Sequence, residues 1–242
     1  MKYLLDKFVA GFPAYLEKDV KNVLNIIKSK ETDHNCCSIS ENCFADISLD
    51  GEKLQIPYRF YHKELIEDFA KEFTETEQII LHCIYSRSCN GFTRQKHIES
   101  IFSFSEIPKW TLPYIIKLCD EYVMEIIEII NNNISKISTN QIAEFVNENK
   151  NFIVLGYARM VSYLDCYYKG LKLKKYVGYK FYRNVLGYNK TFYIPNESRI
   201  HGETLLNNLF WDRLKIKWYN AFQDDNIIEL QAKLIMLEEG VC

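Results

Sequence analysis

Apolar positions recur every three or four residues along most of this chain, and one short stretch alternates instead. Over residues 4–29, Leu5, Phe8, Phe12, Leu16, Val20, Val23, Leu24 and Ile27 form a helical stripe. Gly11 and Pro13 interrupt it, which predicts a short first turn and a main helix from about Ala14. The polar run 29–42 reads as a loop. Thr74 and Glu77 have capping-box spacing ahead of Ile79, Ile80, Cys83 and Ile84, a helix start. Asn90-Gly91 is read as the end of that helix, with Thr93 starting another through Phe102. Pro108 and Trp110 open the strongest segment. There Ile115, Leu118, Cys119, Tyr122, Val123, Ile126, Ile127 and Ile130 predict one broad apolar face that ends at 131–133. Further helices are expected from Ser138 or Thr139 to about Glu148, from Phe152 to Tyr168, and from about Glu203 to Glu239 with a break at 223–225.

The alternating stretch is a hairpin signal. Ala45, Ile47 and Leu49 point one way, Asp50-Gly51 supplies a two-residue turn, and Leu54, Ile56, Tyr58 and Phe60 alternate again. Pairing across the turn sets Ile47 opposite Leu54 and Ala45 opposite Ile56, which makes one face apolar. A lone hairpin is marginal in water, so it must lean on helices or a third strand, and Pro57 marks an edge. The fold class predicted is mainly α, a multi-helix bundle or HEAT-like stack with one small β-hairpin at residues 44–60. No linker rich in Gly, Pro or Ser divides residues 1–242, which are read as one domain with the hairpin packed on the helices.

Composition narrows the class. Apolar residues are 48% and charged residues 26%, which excludes a long disordered chain. Thirty basic and thirty-two acidic side chains leave a net charge of -2, so the whole molecule is no polycation. Asp6 and Lys7 cut short the first apolar run, so no signal-peptide core forms. No stretch reaches the roughly 18 apolar residues of a membrane span. The expectation is a cytoplasmic protein without membrane partners. Its eight cysteines lack a dense regular framework and are read as reduced, with Cys83, Cys119 and Cys166 inside apolar segments.

Candidate chemistry is sparse. His34, Cys36, Cys37 and Cys43 are the nearest approach to a metal cluster, but adjacent cysteines and the absence of a second CxxC or HxxxH favour a polar loop. No GxSxG, HExxH, GxxxxGK[ST] or GxGxxG occurs, so no metal or cofactor and no catalytic residue is expected. His82 and His97 flank a helical hairpin with Tyr85, Arg87, Arg94 and Lys96; structural histidines are favoured there over an acid–base pair.

Charge is segregated. Between Asp165 and Glu197 there is no acid, while Lys169, Lys172, Lys174, Lys175, Lys180, Arg183 and Lys190 interleave with Tyr167, Tyr168, Tyr176, Tyr179, Tyr182, Tyr188 and Tyr193. Such a tract neutralises phosphates and stacks on bases, or else its lysines snorkel while its tyrosines enter the core. Asp120, Glu121, Glu125 and Glu128 are the acidic counterpart. Glu121, Glu125 and Glu128 fall on one helix face, either a wet side or a surface for a basic partner.

Three stretches carry a family resemblance: IPYRFYH from Ile56, LHCIYSRSCNGFTRQKHIES from Leu81, and PKWTLPYIIKLCDEYVMEIIEII from Pro108. They resemble a helical bacterial family in which a YxRxxxGxxRxxH turn precedes a helix reading P(F/Y)(I/V)xxLxxEYVxEI; VSYLDCYY at 161–168 is similar to a further element. The first motif falls on Tyr85, Arg87, Gly91, Arg94 and His97. This kind of protein is similar to immunity proteins of contact-dependent growth-inhibition systems. The resemblance implies a non-enzymatic protein that binds and neutralises a cognate toxin domain, an EndoU-like ribonuclease among the candidates. It carries over no catalytic residue. Tyr85, Arg87, Gly91 and Arg94, with Glu121 and Tyr122, also have a structural reading, a turn glycine and an Arg–Glu tie. The alternative function is RNA binding through the tract 165–197.

Overall fold

Alternation at 45–56 folds as the pattern dictates. In the computed structural model, which describes residues 5–29, 38–39, 44–62, 64 and 73–188, strands β2 (Phe44–Leu49) and β3 (Glu52–Pro57) pair antiparallel. Ile47 faces Leu54 and Ala45 faces Ile56, the register read from the sequence. Asp50 and Gly51 both take positive φ, 53° and 81°, as a two-residue turn matched to strand twist requires. The strand predicted to run on to Phe60 stops at Pro57. Phe60 opens a separate two-residue strand, β4 (Phe60–Tyr61), paired with β1 (Ser38–Ile39). Proline has no N–H to donate, so the ladder cannot continue through it.

Helices make up most of the remaining described chain. Contacts divide it into two compact units, Met1–Cys119 with Val123–Phe152, and Asp120–Tyr122 with Ile153–Cys242.

In the first unit, a 3-10 turn Leu5–Gly11 and a second at Ala14–Leu16 lead through Pro13 into α1 (Glu17–Ser29). The predicted stripe is the buried one: Phe8, Phe12, Leu16, Val20, Val23, Leu24 and Ile27. Helix α2 (Glu75–Tyr85) starts with the expected capping box. The Thr74 N–H donates to Glu77 Oε2 at 2.9 Å, and Glu77 N–H donates to Thr74 Oγ1 at 3.3 Å. Glu77 also accepts from Asn22 Nδ2 at 2.6 Å, so the cap ties α2 to α1. Burial pushes the Glu77 carboxyl up, but the bonds from Asn22 and Thr74 outweigh it and hold the group below its ordinary range.

Two boundaries differ from the sequence reading. Asn90 does not end a helix; it caps α3 (Gly91–Ile101), its Oδ1 accepting from Phe92 N–H at 2.9 Å. Asn and Gly serve at either end of a helix, and spacing alone does not choose between them. The long helix expected over 108–130 is instead α4 (Leu112–Leu118) and α5 (Met124–Asn133), with Val123 extended at φ -86° and ψ 101°. Asp120 and Glu121 lie in the break, each 1% exposed, and a buried carboxylate needs a partner that a continuing wet helix turn does not give.

Helix α6 (Thr139–Glu148) ends at Asn149, whose side chain does the work of a third strand at one residue. Its Oδ1 accepts from Ser48 N–H and its Nδ2 donates to Ser48 O, both at 2.7 Å. Lys109 also holds the hairpin turn, with Nζ 2.5 Å from Asp50 and 2.7 Å from Glu144. The hairpin thus leans on helices, as its size demands.

The described second unit is built on helix α7 (Lys150–Tyr167), of which it contains the part from Ile153, and on α8 (Val177–Asn184). Its core is rich in tyrosine. Tyr157 stacks on Tyr188 at 4.2 Å and meets Tyr182 edge-on at 5.6 Å. Gly156 makes room for the Tyr182 hydroxyl, which a Cβ there would strike. Burial pushes the Tyr188 phenol up to about 12. The helical region expected over 203–239 lies outside the described residues. Among the described residues, no helix is long and apolar enough to cross a membrane.

Candidate functional site

The turn between α2 and α3 collects the residues of the YxRxxxGxxRxxH motif. Arg87 and Arg94 are fully buried, and both grip backbone carbonyls. Arg87 donates from Nη2 to Tyr58 O at 2.8 Å and from Nε to Pro57 O at 3.2 Å. Arg94 Nη1 donates to Ser88 O at 2.9 Å and to Cys89 O at 3.1 Å. The main chain adds Phe60 N–H to Arg87 O at 2.7 Å and Cys89 N–H to Phe60 O at 2.9 Å, binding the turn to β4. Charge-assisted bonds to several carbonyls fix the path of the turn.

Behind the turn, the structure brings His82 and His97 together, with their Nδ1 atoms 2.7 Å apart. Tyr85 stacks on His97 at 5.0 Å, and its hydroxyl lies 3.0 Å from His62 Nδ1. Glu64 Oε1 sits 3.3 Å from His97 Nε2 and 2.8 Å from Lys96 Nζ. Burial lowers both His82 and His97 to about 3; the neighbouring His97 and Lys96 lower His82 further, and Lys96 does the same to His97. Two imidazoles held neutral in this way are badly matched to proton transfer near pH 7, where a general acid or base works best with a pKa close to the working pH.

The acidic quartet does not form one face. Asp120 and Glu121 are buried outside any helix, while Glu125 and Glu128 are exposed on α5. Asp120 takes Arg159 Nη1 at 3.0 Å, both side chains nearly inaccessible. The helix break removes Glu121 from the spacing that linked it to Glu125 and Glu128.

The basic tract splits by residue type. Lys169, Lys172, Lys174, Lys175 and Lys180 are exposed and Arg183 is half-buried, whereas Tyr176, Tyr182 and Tyr188 are core residues. Tyr168 and Tyr179 are half-buried, and the most open tyrosine of the tract stands at its start. Tyr167, 59% exposed, stacks on Tyr122 at 4.8 Å and 24°, and Tyr163 meets Tyr122 edge-on at 5.7 Å. Tyr122 and Tyr163 lie outside the tract that the charge pattern singles out. The four-residue spacing of Tyr163 and Tyr167 was the available signal; nothing local marks Tyr122 as their neighbour. Lys190 and Tyr193 lie outside the described residues.

Of the cysteines, Cys83 and Cys119 are buried, and burial pushes the Cys83 thiol well up. Cys166 is exposed, against its expected place in an apolar segment, because it falls on the outward face of α7. His34, Cys36, Cys37 and Cys43 lie outside the described residues. Among the described residues, no group of three or more His, Cys, Asp or Glu is placed to hold a metal ion.

Compared with protein-family models, with curated proteins and with solved structures, the chain finds no match.

Proposed function

We propose that this chain is a non-enzymatic immunity protein that binds a cognate protein toxin, a nuclease domain of the EndoU-like kind, and neutralises it in the cytoplasm. The observation that carries the reading is how the α2–α3 turn uses its side chains. Its arginines are spent inward on carbonyls, and its histidine is packed under Tyr85. The outward side of the same stiff turn presents Phe92, 84% exposed on the first turn of α3; β4, bonded to the turn, carries Tyr61, 44% exposed. A large aromatic side chain carried at the surface on a fixed stretch of backbone is the kind of group on which protein interfaces anchor. Exposed Glu125 and Glu128 stand on α5, which packs against α3, and supply a charged rim suited to a basic nuclease.

Affinity purification of the full chain from its native cell, with nuclease treatment of the eluate, tests this. The expected result is a stoichiometric, nuclease-resistant toxin domain, whose binding falls at least tenfold in Phe92→Ala with the thermal midpoint unchanged. Recovery of RNA alone, lost on nuclease treatment, overturns the reading.

A further inference from the structure

The toxin reading leaves the second unit without a role, although that unit has its own exposed chemistry. Tyr122, Tyr163 and Tyr167 contact one another with ring centroids 4.8 to 6.0 Å apart. Tyr168 donates its hydroxyl to Tyr122 O at 2.6 Å, which fixes the inner ring of the group. Tyr167 is the outer step of this short stack: one face lies on Tyr122, and more than half of the side chain remains open. The chain then runs directly into the connector carrying Lys169, Lys172 and Lys175, with Lys180 on α8. All four are exposed, and among the described residues none of them makes an ion pair.

We propose that this tyrosine stack and the lysines that follow it form a binding surface for single-stranded nucleic acid, with a base continuing the stack on Tyr167 and the lysines meeting phosphates. One feature favours this ligand over an acidic protein segment. Unpaired cations suit either polyanion, but a parallel aromatic step with an open face is used by a planar base and has no counterpart in a carboxylate side chain. The stack also needs no base-specific donor or acceptor, so the surface is sequence-tolerant. The inference is independent of the toxin reading, since it rests on other residues in another unit.

The test is fluorescence anisotropy of a labelled oligouridylate of about 20 nucleotides, longer than the roughly 4–16 nucleotides that single-strand binding sites occupy, titrated with the full chain across a salt series. Binding should weaken steeply with salt, and the log–log slope should shrink by about 0.7 for each of Lys172→Gln and Lys175→Gln. Tyr167→Leu should weaken binding at least about fivefold with the slope unchanged, and Tyr167→Phe should retain it. Each substitution is at an exposed side chain, and circular dichroism checks that the fold persists. The lysine variants keep the test decisive if Tyr167→Leu misfolds. No binding at low salt overturns the proposal. So does indifference to both Tyr167→Leu and the lysine changes, or displacement of the RNA by polyglutamate of equal charge, which assigns the surface to an acidic protein instead.

Discussion

The Nδ1 atoms of His82 and His97 face each other at 2.7 Å, so one of them must donate and the other accept. Glu64 Oε1 lies 3.3 Å from His97 Nε2. A proton added to either ring would place a buried positive charge beside the other ring and near Lys96.

That arrangement sets a pH dependence. Both histidines are lowered from 6.5 to about 3 in the folded chain. Between those values the unfolded chain binds more protons than the folded one, so stability rises with pH across the window. It is fully present above about pH 6.5 and is lost as the pH falls toward 3, by on the order of a few kcal/mol for the pair. Thermal melts from pH 7.5 to 5 check this. The wild-type midpoint should fall over that range, and a His82→Gln/His97→Gln double variant should fall less. Parallel slopes would remove the pair as the cause.

Arg87 is predicted to be structural. Lysine keeps the charge but cannot reach Pro57 O and Tyr58 O with a planar fork, so Arg87→Lys should lose about 2–4 kcal/mol in denaturant melts. If the chain neutralises a toxin as proposed, that protection, assayed below the melting temperature, should persist in the variant. A stable Arg87→Lys protein that no longer protects would make Arg87 a contact residue.

Asn149→Ala should cost about 2 kcal/mol, since two bonds to Ser48 and one to Phe145 O disappear together. Hydrogen exchange locates the effect. The Ser48 amide should lose protection well before the amides of α2, and equal loss everywhere would mean that Asn149 does not act on the hairpin.

Asp120 and Arg159 form a buried pair, so removing one partner is worse than removing both. Arg159→Leu alone should cost about 3–5 kcal/mol. Asp120→Leu with Arg159→Leu should recover a substantial part of that loss, and strictly additive losses in the double-mutant cycle would deny the coupling.

Local pattern was a good guide wherever neighbours in sequence are neighbours in space. The 45–56 register, the Thr74–Glu77 cap and the stripe of α1 all depend on spacings of two to four residues, which sequence shows directly. The misreadings share a different cause. Asp120 and Glu121 scan as the wet side of a helix until Arg159, thirty-nine residues on, is placed beside Asp120. Asn149 carries no local signal of its role until Ser48, a hundred and one positions earlier, is placed beside it. The same holds for the site residues: Tyr163 and Tyr167 announce each other, but Tyr122 joins them only through the fold. A structural reading of Arg87 and Arg94 was legible, while the backbone carbonyls they grip were not, because such partners leave no trace in composition.

The division of the chain at Asp120–Tyr122 bears on how such a protein can change over generations. Three residues of the second unit are carried between two helices of the first, so neither unit is a continuous gene segment. A single crossover that exchanged everything after Phe152 would bring in a new Arg159 position while keeping the old Asp120. An exchange at that point would therefore break the buried pair unless both halves already agreed.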